Sequence, residues 1–108
     1  MPKAIRTESA ERDFENIGFQ IAVVDGRTEV ADRILRDLAA QCDRLARLSS
    51  TSQLGTAAPE VGKDVRLFSH KRWVIIFRYT DDGITVLRLA DASQDYLSWK
   101  LSPLLHDR

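Results

Sequence analysis

Apolar residues recur at helical spacing twice in the first half of the chain and gather into short β-branched and aromatic runs in the second. Phe14, Ile17, Ile21 and Val24 follow three- and four-residue steps, which predicts an amphipathic helix. Asp25-Gly26 ends it, glycine supplying the left-handed conformation common after a helix terminus. Ser9 is placed to cap its start through the first-turn amides, and Glu11 suits the positive end of the helix dipole. Ahead of it, Lys3 to Thr7 is a short candidate strand.

The second helix is the clearest element. Thr28 is a candidate N-cap. Ala31, Ile34, Leu38, Cys42, Leu45 and Leu48 then hold helical spacing, with Val30 and Leu35 at the edges of the stripe. Arg33, Arg36, Asp37, Asp43, Arg44 and Arg47 occupy the opposite side. A fully buried Leu or Ile stabilises by roughly 1.5–3 kcal/mol, so the stripe belongs against a core. The short break at Asp25–Arg27 makes the two helices an antiparallel hairpin.

Residues 49–59 show no periodicity and form a loop. Strand signals follow at Val65–Ser69, Arg72–Thr80 and Ile84–Ala90. Asp81-Asp82-Gly83 joins the last two, as a two-residue Asp-Gly turn or a three-residue loop with Gly83 left-handed; the two registers differ by one residue. Residues from Tyr96 to Leu101 suit a short helical tail ended by Pro103, dispensable for folding. The order β-α-α-β-β-β implies an α+β fold, with a helix hairpin on a small, mainly antiparallel sheet.

Composition adds limits. The 108 residues, 44% hydrophobic and 30% charged, suit a single domain spanning 1–108. No apolar run approaches the roughly 20 residues of a membrane span. The first residues carry no secretory pattern, so the cytoplasm is the expected compartment. Cys42, the one cysteine, is expected as a buried thiol; it forms no internal disulfide and no cysteine cage for zinc. Net charge is zero, which argues against a general nucleic-acid binder, yet the charges are unevenly placed. Glu8, Glu11, Asp13, Glu15 and Asp25 stand against Arg12 in the front of the chain. Lys63, Arg66, Lys71, Arg72 and Arg78 stand against Asp64 in the middle. The two regions either neutralise each other or leave a charge-polarised surface.

The hairpin region is more specific. Val65-Arg66-Leu67-Phe68-Ser69-His70-Lys71-Arg72-Trp73-Val74-Ile75-Ile76-Phe77-Arg78-Tyr79, followed by Asp82-Gly83-Ile84-Thr85-Val86-Leu87-Arg88-Leu89, resembles the C-terminal half of ParE-type toxins. Asp95-Tyr96-Leu97 is similar to that family's closing aspartate and apolar pair. Glu11 to Ile17 and Ala31 to Leu35 resemble its two helices. The resemblance, to the RelE/ParE superfamily and most closely its plasmid-stabilising ParE type, covers nearly the whole chain. It implies a bacterial toxin wrapped and blocked by an antitoxin, as a homodimer or a toxin–antitoxin hetero-oligomer. Within that superfamily, ParE-like members poison DNA gyrase by binding, and RelE-like members cut mRNA on the ribosome; a degenerate toxin of low activity is a third possibility.

Metal-free RNA cleavage needs a general base, a cation for the developing charge and an acid for the leaving oxygen. By the resemblance, two positions that carry cations in RelE-like ribonucleases are Val74 and Gln94 here, and neither supplies one. Tyr96 and His106 remain as acid or base candidates without a matching spacing. No catalytic residue, metal ligand or cofactor site is therefore assigned. The candidate partner-binding residues are Arg66, Arg72, Arg78, Arg88, Tyr96 and Trp99. The four arginines are expected as a basic strip on the sheet face away from the helices, paired with carboxylates of an antitoxin or of gyrase. His70 is expected in an exposed turn, and Trp73 in the core.

Overall fold

A computed structural model describes residues 2–99. Strand β1 (Lys3–Arg6) leads into helix α1 (Glu8–Phe19), a π-helical turn (Gln20–Val24) and helix α2 (Thr28–Arg47). Strands β2 (Thr56–Ala57), β3 (Arg66–His70), β4 (Trp73–Thr80) and β5 (Gly83–Asp91) follow, then a single 3₁₀ turn at Tyr96–Ser98. The five strands lie in the order β1-β5-β4-β3-β2, with β1 parallel to β5 and every other pair antiparallel. This is the expected α+β arrangement, with one strand more than the sequence pattern suggests. His106, Leu101 and Pro103 lie outside the described residues. Among the described residues no helix is long and apolar enough to cross a membrane.

The helix starts differ from expectation. Thr7, not Ser9, caps α1: its Oγ1 accepts from the Ala10 N–H at 3.0 Å, while Ser9 is buried in the first turn. The α2 cap is Arg27, which makes no side-chain cap bond, and Thr28 is already helical. At the other end of α1 the Asp25 N–H donates to the Gln20 carbonyl, a five-residue step. The wider turn adds a residue and rotates the apolar face. Ile21 stays buried, whereas Val24, expected on the inner face, is 60% exposed beside the equally open Phe19 and Val23.

Two apolar layers sandwich the sheet. On the helix side, Phe14, Leu38, Cys42 and Leu45 meet Trp73, Ile75, Phe77, Ile84, Val86 and Leu89. Leu48 is only half-buried, and Ala46 takes the inner position near that end. Burial pushes the Cys42 thiol up to about 12. Gly18 faces Leu35 of α2, and a Cβ there would lie 2.9 Å from Leu35 Cδ1, so that side chain would have to shift. On the opposite side, Val65, Val74, Ile76, Leu87 and Ala90 form a second cluster, covered by Ala58 and Val61 of a loop and by Tyr96 and Trp99.

The β4–β5 turn takes neither expected register. Thr80 pairs with Gly83, leaving Asp81-Asp82 as the turn. The parallel strand decides this: Gly83 stands opposite Lys3, and a Cβ on it would fall 2.0 Å from the Lys3 carbonyl oxygen. Farther along, Phe77 pairs with Val86 but Ile76 with Arg88, so Leu87 is an extra residue bulged from the ladder.

Candidate partner-binding site

The bulge positions Arg88. Strand β1 pairs with β5 only from Gly83 to Val86, and beyond it the outer edge of β5 needs other partners. Thr7 supplies two: its N–H donates to the Val86 carbonyl and its hydroxyl to the Leu87 carbonyl, at 3.1 and 2.9 Å. Asp13 of α1 supplies the third, accepting from the Leu89 N–H at 2.9 Å. The same carboxylate takes the Arg88 guanidinium in a fork, Nε to Oδ2 at 2.7 Å and Nη2 to Oδ1 at 3.1 Å. The Asp13 side chain is 13% exposed, so Arg88 answers a nearly buried charge. Trp99 stacks on the free side of the guanidinium, whose carbon lies 4.2 Å from the indole ring centroid.

A second arginine–tryptophan stack adjoins the first. Arg72 Nη2 reaches Asp91 Oδ2 at 2.6 Å, and its guanidinium lies 4.6 Å from the Trp73 ring centroid. The Ser93 N–H and hydroxyl both donate to Asp91 Oδ1, and the Asp91 N–H donates to Gln94 Oε1. The Ser93 backbone N–H, seconded by Arg72, holds the Asp91 carboxyl below the usual carboxylate range. Arg72, Arg88, Trp73 and Trp99 thus line one groove of about 370 Å³.

Arg66 and Arg78 stand elsewhere, around a groove of about 500 Å³ that Gln53 and Asp64 also line. Arg66 ties down the preceding loop, donating to the Leu54 and Gly55 carbonyls at 3.2 and 2.8 Å. The Tyr79 hydroxyl grips the same residue, donating to the Leu54 carbonyl and accepting its N–H. Arg78 is half-buried and has no ion-pair partner among the described residues.

The expected basic strip is therefore not formed. The sheet face away from the helices is an apolar layer under a loop and the chain's last described turn, with Tyr96 packed against it. Arg88 is drawn around the sheet edge to α1, and Arg66 stands opposite Phe77 of the helix-side core. Val74 is 1% exposed within the apolar layer, and Gln94 is occupied in its turn. His70 is not an exposed turn residue: it closes β3, half-buried, with Nε2 2.7 Å from Asp37 Oδ2. That hydrogen bond is the main cause holding the Asp37 carboxyl low, with Lys71 Nζ adding its charge from 3.4 Å. No ion pair among the described residues joins the acidic front to the basic middle. The partners missed by sequence reasoning are Asp13 and Asp91. Nothing local marks Asp13, which lies 75 residues from Arg88; Asp91 belongs to a recognisable Asp-x-Ser turn.

This hairpin of helices on a five-stranded sheet is a fold shared with a solved structure described as the chromosomal ParDE TA system from P. aeruginosa. The two chains are 22% identical at a TM-score of 0.67, over 84% of this chain and 96% of that one. The profile of the family "ParE toxin of type II toxin-antitoxin system, parDE" matches residues 4–96. The chain belongs to that ParE toxin family. No curated protein matches it.

Proposed function

We propose that the protein is the toxin of a cytoplasmic toxin–antitoxin pair, neutralised by a cognate antitoxin, and that it inhibits DNA gyrase by binding it. The observation that carries the choice of target is the fate of Val74 and Gln94. One is sealed in an apolar layer and the other bonded to a backbone N–H, where a ribonuclease of this fold class needs cations. Of the remaining groups that RNA cleavage would recruit, those among the described residues have other partners. Tyr96 packs on the apolar layer, Lys71 faces Asp37 and Arg72 is paired with Asp91. Loss of one transition-state donor typically costs about 10²–10³ in rate, so a chain lacking two is a poor nuclease.

Binding makes no such demand. Arg78 has its guanidinium available for a carboxylate beside a groove, and Phe19, Val23 and Val24 leave an apolar patch at the tip of the helix hairpin. Such a patch fits a surface covered by a partner. The test is to add the purified protein to gyrase and, separately, to a translating extract. Loss of supercoiling or trapped gyrase–DNA cleavage complexes, with mRNA intact, is expected. Codon-dependent mRNA cleavage with gyrase unaffected would reverse the assignment.

A further inference from the structure

We infer, resting on the reading that the chain acts by binding gyrase, that the groove beside Arg78 is the surface that meets this target, and that it takes a protein segment carrying one carboxylate between basic side chains. The groove lies between the loop before β3 and the end of β4, encloses about 500 Å³, and has Asp64, Arg66, Arg78 and Tyr79 in its lining. Arg78 is half-buried, and no carboxylate among the described residues pairs with its guanidinium. Arg66 donates to the Leu54 and Gly55 carbonyls and likewise has no carboxylate partner among them. A partly desolvated guanidinium without a counter-charge is unfavourable. A carboxylate received in the planar fork of Arg78 supplies one.

Around this cationic centre the surface is acidic. Asp64 lines the groove, Glu60 follows the lining residue Pro59, and Asp81 and Asp82 follow Thr80, with Lys63 as the one base among them. All four acids are exposed, and none has an ion-pair partner among the described residues. Positive at its centre and negative at its edge, the groove sorts anions by what flanks them. A nucleic-acid backbone brings a row of phosphates, and those beyond the one at Arg78 would face the edge acids. A run of carboxylates is disfavoured for the same reason. A lone carboxylate flanked by Lys or Arg satisfies centre and edge together, while like-charge juxtaposition rejects the other two. Ala57 and Pro59, both exposed in the lining, offer apolar surface to the aliphatic stems of the flanking bases.

Purified gyrase is titrated against the wild-type chain and its variants by calorimetry. Arg78→Gln is expected to weaken binding by about tenfold or more, and Arg78→Lys, which keeps the charge without the fork, to give an intermediate loss. Glu60→Gln, Asp64→Asn and Asp81→Asn together are expected to weaken binding by roughly threefold, a loss that shrinks as salt rises. Asparagine tolerates the left-handed backbone of Asp64, φ +59, so this triple variant keeps the loop. Arg36→Gln, exposed on α2, leaves the affinity unchanged. Equal or tighter binding by the triple variant overturns the paired-charge pattern, and tighter binding assigns the groove to a uniformly acidic segment or a nucleic-acid backbone. Wild-type binding that Arg78→Gln leaves unaltered overturns the site while the gyrase reading stands. No binding of the wild type to gyrase overturns both.

Discussion

The two faces of the sheet are closed by different means. On one, α1 and α2 lay continuous apolar stripes over Ile75, Phe77 and Val86. On the other, a loop through Ala58 and Val61 and the side chains of Tyr96 and Trp99 cover Val65, Val74, Ile76 and Leu87. Helices bring their own backbone hydrogen bonds to such a task, whereas an irregular cover depends on individual contacts. The helix face defines the fold. The opposite face ties the end of the described chain to the arginine groove, since Trp99 touches both the apolar layer and Arg88.

Substitutions can break this contrast. Leu38→Asp places an unpaired charge in the helix-side core, where Leu38 is fully buried. A loss of several kcal/mol is expected against a total of about 5–15, so a thermal melt should show no cooperative fold. Asp13→Ala removes the acceptor of both Arg88 and the Leu89 N–H. A loss of about 1.5–3 kcal/mol in chemical denaturation is expected, since hydrogen bonds to charged groups are the costly ones to delete. Trp99→Ala uncovers the far face only in part; a loss of about 1–2 kcal/mol with the fold retained is expected for a half-exposed ring. The same variant lowers affinity for any partner that binds the Arg88 groove. Equal losses for Leu38→Asp and Trp99→Ala would erase the distinction between the faces.

The smallest effect is in the Asp91 turn. Because the folded-state pKa is depressed, its stabilisation is present above the unfolded carboxylate value and lost as pH falls through the folded one. Carboxylate titration by NMR should find Asp91 below the ordinary aspartate range. Arg72→Ala should restore it only partly, because the Ser93 amide remains.

Much of the helix face was legible in advance. The Ala31-to-Leu45 stripe records burial directly, and Val74 to Phe77 signals a strand by composition. The departures have tertiary causes. The π-helical turn packs against α2, a contact that local spacing does not reveal. The two-residue strand β2 pairs only with Arg66 and Leu67, beside the loop that Arg66 and Tyr79 pin down. The β4–β5 register answers to Lys3 across the sheet. The arginines were legible as candidates but not as a surface. A strip of four is expected from the sequence, but Asp13 draws Arg88 and Asp91 holds Arg72 at one groove, apart from Arg66 and Arg78.

If the protein acts by binding without turnover, a stoichiometric titration of gyrase will show it. Supercoiling activity should fall in proportion to added protein and reach its floor near a fixed ratio of toxin to gyrase, set by tight association. Arg78→Glu should shift that curve to higher toxin. Gyrase left fully active at a large excess of folded protein, with mRNA consumed at substoichiometric amounts in a translating extract, would make the protein a nuclease instead.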